Sequence, residues 1–166
     1  MADVAFRPTG RTGAEVLESY RRHRSAASEL DIAMPFMTDV LFRIPAIRLT
    51  EAAQRHNPRT YMFQFALKGT LGAVHGLEIP FMFDSLESAR NVVAAFGAPN
   101  PPQSLATAMH GAWVNFVKTG SPQHPNLPEW PAYDPIRRAT MQLDVESRVV
   151  EDPDGEDRAL WEGAQH

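Results

Sequence analysis

An imidazole on a glycine-spaced loop is the group in this sequence best placed to do chemistry. His75 stands in the run Gly72-Ala73-Val74-His75-Gly76, directly after a segment of alternating residues. A histidine there can serve as a general base, because its pKa lies near neutrality and α/β proteins keep working residues on loops that follow strands. By residue type alone, a single loop histidine is more often a surface or hydrogen-bonding residue than a catalyst. The other histidines offer less: His23 lies in an arginine-rich helix end, His56 in His-Asn-Pro, His110 inside a helical stretch, His124 in a proline-rich loop and His166 at the end. No two of them show H-E-x-x-H spacing and cysteine is absent, so no metal or other cofactor is expected, and disulfides and thiol nucleophiles are excluded. None of the eight serines has glycine at both −2 and +2, so a G-x-S-x-G nucleophile elbow is missing from these residues.

The elements that must hold His75 can be read from periodicity. Thr60–Leu67 alternates Tyr61, Phe63, Phe65 and Leu67 against Met62, Gln64 and Ala66, which predicts a strand feeding the loop. Ser104–Lys118 carries Leu105, Met109, Ala112, Trp113 and Phe116 on one helical stripe and stops at Gly120-Ser121-Pro122. Gly13–Arg24 reads as a first helix, and a second helical stretch runs from about Pro35 to His56, with a kink or break expected at Pro45. Asp84 and Glu87 have capping-box spacing for a helix through Leu86, Val93 and Phe96. Ala139–Val145 alternates with Met141, Leu143 and Val145 inward, Arg148–Glu151 can return as a hairpin strand, and Asp154 is placed to cap a last helix. The expected fold class is α/β, with Thr60–Leu67 and Ala139–Val145 in one small mixed sheet covered by the helices around Val40, Val93 and Trp113.

Composition bounds the partners. A chain of 166 residues with 43% hydrophobic and 22% charged residues fits one folded domain over residues 1–166. Its net charge of −4 supplies no basic field, so nucleic acid is a poor partner. The eight acids between Asp144 and Glu162 read as a solvated surface. No apolar run is long enough to span a membrane and Met1–Gly10 has no signal-peptide core, so the expectation is a soluble, unexported, cytoplasmic chain with no membrane partner.

At His75 the sequence also becomes recognisable. Gly72-Ala73-Val74-His75-Gly76-Leu77-Glu78-Ile79-Pro80-Phe81-Met82-Phe83 resembles the histidine motif of the type B carboxylesterases, the α/β-hydrolase family of the para-nitrobenzyl esterases and cholinesterases. Thr38-Asp39-Val40-Leu41-Phe42-Arg43-Ile44-Pro45 is similar to that family's T-D-x-x-F-x-x-P helix, and Thr60–Phe65 to the strand before its histidine. Trp113, Phe116, Thr119, Gly120 and Pro122 fit its W-x-x-F-x-x-T-G-x-P segment, and Trp130–Asp134 and Thr140-Met141 follow in family order.

The resemblance implies the C-terminal part of an α/β-hydrolase fold, a partial carboxylesterase domain in which only His75 corresponds to a triad member. It implies a general base whose serine and acid come from earlier sequence, so a small-molecule ester would be a substrate only if an N-terminal portion completed the site. Glu78 is read as a structural hydrogen-bonding glutamate, and Asp39 and Asp84 as helix-end groups. The alternative is a non-catalytic interaction module that complements a separate N-terminal chain or pairs with itself. A cut fold exposes a strand edge and once-interior side chains, so a homodimer is expected through Thr60–Leu67 or the faces of Phe36, Met37 and Phe63.

Overall fold

The computed structural model describes residues 10–70 and 72–164. They fall into two compact units, one within Met1–Ala53 and Pro153–His166, the other within Gln54–Asp152.

In the first unit, α1 (Gly13–His23) starts at a reciprocal capping box between Thr12 and Glu15 and ends on Arg21, Arg22 and His23, where positive charge suits the macrodipole. The following helix begins earlier than Pro35: α2 (Glu29–Thr38) opens at a second capping box, Ser28 with Asp31. Pro35 lies inside it with no N–H to donate, and Ile32 and Phe36 are buried on the inner face, Phe36 edge-on to Tyr20 at 5.5 Å and tilted against Trp161 at 5.9 Å. The break expected at Pro45 takes the form of a π-helical turn, Asp39–Arg43, which leads into α3 (Ile44–Gln54). Pro45 cannot donate to Leu41 and its ring crowds that carbonyl, so the backbone widens by one residue and the Ile44 N–H donates to the Asp39 carbonyl instead. A last short helix, α7 (Gly155–Ala159), and the turn after it complete this unit with Trp161 buried.

The second unit holds the sheet. β1 (Phe63–Phe65) pairs parallel with β2 (Ala139–Leu143), which pairs antiparallel with β3 (Arg148–Glu151), giving the strand order β1-β2-β3. Phe63 lies opposite Met141 and Phe65 opposite Leu143. Between β1 and β2 come α4 (Ile79–Met82), α5 (Arg90–Ala95) and α6 (Gln103–Thr119). The aromatic face of β1 packs as its spacing predicts: Phe63 sits edge-on to Trp113 at 4.9 Å, Phe65 against Phe81 at 5.2 Å, and Tyr61 edge-on to Phe116 at 6.0 Å. Val93, Leu105, Met109, Met141 and Leu143 are buried in the same core.

Five expectations need correction. Val40 belongs to the core of the first unit, with Val16, Tyr20 and Ile44, and not to the core under the sheet. The regular ladder of β1 covers Phe63–Phe65 only, although Met62 and Ala66 still exchange single bonds with β2. β2 ends at Leu143, because Asp144 turns the chain by exchanging hydrogen bonds with the Ser147 hydroxyl, and Val145 is exposed. Asp84 does not cap α5: its φ is +49°, its carboxylate accepts from Gln103 Nε2 at 2.5 Å, and the N-cap position falls to Ala89. Asp154 does occupy the N-cap of α7, but its side chain makes no capping bond and faces Arg43 at 3.3 Å.

Candidate functional site

The loop between β1 and α4 carries His75. Leu67 is buried at its start, and Gly69 and Gly72 then close a tight antiparallel bridge. Gly69 admits no side chain, since a Cβ there would lie 2.5 Å from the Phe96 carbonyl oxygen. The Thr70 N–H donates to the Gly97 carbonyl at 3.1 Å, which ties the loop to the end of α5.

His75 follows on a turn and is exposed. Around it the backbone is stapled: Leu77 N–H donates to Val74 C=O at 3.2 Å, and Ile79 N–H to Gly76 C=O at 3.3 Å. Gly76 has φ +88°, a left-handed geometry that disfavours a side chain. Its N–H donates to Glu78 Oε2 at 2.9 Å. Glu78 therefore acts as the hydrogen-bonding glutamate its position suggested, holding the turn through the backbone beside His75.

Downstream, Leu77 and Phe81 are wholly buried and pin the short helix α4 to the core. The C-terminal end of that helix is held from α6, where His110 Nδ1 lies 3.0 Å from the Met82 carbonyl. An imidazole at the tip of a loop anchored on both sides can accept and return a proton to a group brought against the surface. The pairing of His110 with α4 was not legible in the sequence, because the partners are 28 residues apart and one of them is a backbone oxygen.

The remaining candidates are dispersed. Asp39 is buried in the first unit, 1% exposed, where it accepts hydrogen bonds from Tyr20 and Arg43 and is a core anchor rather than a helix-end group. His23 Nδ1 is 3.1 Å from Asp157, whose carboxylate Arg24 also holds. Burial pushes the Asp157 carboxyl up, but the hydrogen bonds from Arg24 and His23 and the charges of Arg24 and Arg43 outweigh it and leave it below the usual range. His124 is packed over Gly111 of α6. Among the described residues, no three His, Asp or Glu side chains gather as a metal-binding group, and no helix is long and apolar enough to cross a membrane.

Comparison with known proteins places this arrangement. The model of the carboxylesterase family matches residues 8–161. The para-nitrobenzyl esterase of Bacillus subtilis (strain 168) is 32% identical over 133 residues, 78% of this chain and 27% of that protein. The phenmedipham hydrolase of Pseudarthrobacter oxydans is 32% identical over 129 residues, 74% of this chain and 26% of that protein. Among solved structures, the carboxylesterase EST55 of Geobacillus stearothermophilus at pH 6.2 superposes with a TM-score of 0.72 at 33% identity, covering 94% of this chain and 33% of that one. A thermophilic pNB esterase superposes with a TM-score of 0.70 at 27% identity, covering 95% and 32%. The chain thus spans about a quarter of the length of the curated relatives it matches and a third of these solved structures. With a family match over nearly its whole length and an α/β sheet shared with solved esterases, this chain belongs to the carboxylesterase family.

Proposed function

We propose that these residues form the C-terminal, base-carrying portion of a serine carboxylesterase, with His75 as the triad histidine. In that role its imidazole deprotonates a serine hydroxyl supplied by another part of the fold, and then returns the proton to the leaving alcohol. The observation that carries this reading is the position of His75: an exposed imidazole on a turn stapled by Glu78 and anchored by Leu77 and Phe81, inside a chain of this family.

The same reading makes these residues inert on esters by themselves. No G-x-S-x-G is present to supply a nucleophile, and loss of a triad serine costs on the order of 10⁶ in kcat in a worked hydrolase. A small-molecule ester becomes a substrate only where an N-terminal portion contributes serine, acid and oxyanion donors.

An ester-hydrolysis assay tests this. The purified chain is expected to turn over a para-nitrophenyl ester no faster than buffer, with or without His75→Ala. Co-expression with the N-terminal two thirds of a para-nitrobenzyl esterase is expected to give hydrolysis that His75→Ala abolishes. Turnover by the chain alone that disappears on His75→Ala would overturn the claim that it lacks a nucleophile.

A further inference from the structure

The helix α4 (Ile79–Met82) is a single turn opened on Pro80, and a turn that short does not hold itself. Its placement nevertheless bears on where His75 lies, because the Ile79 N–H donates to the Gly76 carbonyl, one residue past the imidazole. Burial of Leu77 and Phe81 sets how deep α4 lies, but apolar contact has no direction and does not by itself fix the rotation of the turn. Directed bonds reach it from α6. His110 Nδ1 lies 3.0 Å from the Met82 carbonyl in a partly buried position, and Gln103 Nε2 donates to Asp84 Oδ1 at 2.5 Å on the exposed side. Water competes more for the exposed bond, so His110 supplies the firmer restraint.

A carbonyl only accepts, so His110 carries its proton on Nδ1. Among the described residues no backbone N–H donates to the Met82 carbonyl, because the chain leaves the helix at Phe83 and turns at Asp84, where φ is +49°. The same helix α6 also sets the strand that feeds the loop: Trp113, one turn beyond His110, sits edge-on to Phe63 of β1 at 4.9 Å. Both ends of the His75 loop are thus referenced to α6, by ring packing at the start and by a directed hydrogen bond at the end. We propose that His110 is a positioning residue for His75: its Nδ1–H fixes α4 through the Met82 carbonyl, and α4 fixes the turn that carries the imidazole. The catalytic consequence rests on His75 acting as the base, whereas the placement of the turn does not.

In the isolated chain the His75 ring signal in proton–carbon NMR, assigned by its loss in His75→Ala, reports the turn. His110→Leu is expected to shift or broaden that signal and to speed amide exchange over residues 77–83 about tenfold, the loss of one partly buried hydrogen bond. His110→Asn is expected to restore both, because its amide nitrogen falls at the Nδ1 position. His110→Gln is not, because its amide nitrogen falls at the Nε2 position. Should the leucine variant lose its far-UV circular dichroism, the Asn and Gln pair decides. With the N-terminal two thirds of a para-nitrobenzyl esterase co-expressed, His110→Leu and His110→Gln are expected to lower kcat about ten- to a hundredfold with KM within about twofold, and His110→Asn to recover it. An unchanged His75 signal with unchanged exchange in His110→Leu, or equal behaviour of the Asn and Gln variants, would overturn the proposal. A raised KM at unchanged kcat would also overturn it and assign His110 to substrate binding. Complemented hydrolysis that survives His75→Ala would overturn the base reading and with it the catalytic consequence, while ring signal and exchange in the isolated chain would still decide whether His110 sets the turn.

Discussion

Substituting Asp39 by asparagine tests whether the first unit is held by one buried polar cluster. Asp39 is 1% exposed, receives Arg43 Nε at 2.5 Å and Arg43 Nη2 at 2.7 Å, and accepts the Tyr20 hydroxyl. Tyr20 in turn accepts the Trp161 indole N–H at 2.7 Å. The Arg43 side chain is only 12% exposed, so Asp39→Asn removes its buried counter-charge and leaves it, largely away from water, with only the half-exposed Asp154 carboxylate at 3.3 Å. Breaking such a pair from one side costs about 3–5 kcal/mol. A domain is stable by only about 5–15 kcal/mol. The expected result is an unfolding constant raised by about two to three and a half powers of ten and a Tm lowered by about 6–20 °C. Tyr20→Phe keeps the ion pair and is expected to cost less, about 1–3 kcal/mol. Hydrogen exchange read peptide by peptide gives the sharper assay, because the loss should fall on α1, α2 and residues 153–164 and spare β1 and β2. A change under 1 kcal/mol, or equal loss of protection in both units, would refute the reasoning.

Other outcomes follow from single contacts. Gly111→Ala would put a Cβ 2.4 Å from His124 Nε2, so it should destabilise by about 1–3 kcal/mol, and His124→Ala in the same chain should recover most of that in urea titrations. Burial, with the Asp39 charge and hydrogen bond adding to it, pushes the Tyr20 phenol well above the usual tyrosine range. Above about pH 10 the unfolded phenol therefore loses its proton before the folded one, and stability should fall by up to about 1.4 kcal/mol per pH unit, an increment absent from Tyr20→Phe. Asp157 shifts the other way: its carboxyl is held below the usual range, so its contribution is complete above about pH 4 and is lost as pH falls further, a slope that Asp157→Asn should flatten. His75 is exposed, so His75→Ala should leave stability within about 0.5 kcal/mol, measured by the same denaturation.

What was legible in the sequence is what local pattern controls. Alternating aromatics marked β1 and the stripe from Leu105 to Phe116 marked α6, and both packed as drawn because each needs one large apolar partner and the chain offers few. The His75 turn was legible through its glycines, and Glu78 as a hydrogen-bonding glutamate through its place in the motif, although its partner, the Gly76 N–H, was not. Asp84 with Glu87 has the spacing of a capping box, but the backbone at Asp84 is left-handed and Glu87 pairs with Arg90 instead, so long-range packing decided that corner. Val40 shows the same limit: an apolar stripe announces that a helix is buried on one side and says nothing about which core receives it.

The segment Thr38–Pro45 shows how a recognisable motif divides into physics of different kinds. As sequence it reads like the histidine loop, a family signature with charged groups that could serve a reaction. In the fold its Asp39 and Arg43 face each other across one helical turn, and the proline two residues on forces the wide turn that lets Asp39 accept at its carbonyl while its carboxylate holds the guanidinium. Arg43 then reaches the carbonyls of Pro153 and Asp154, so the motif fastens the last segment of the chain to the first. Every polar atom of the Asp39 carboxylate is thereby committed inside the unit, and none is left for a substrate. His75 is the opposite case, with its neighbours buried and its own ring at the surface. Burial therefore separates the two motifs where residue type did not: one assembles the scaffold, and the other leaves an imidazole at the surface.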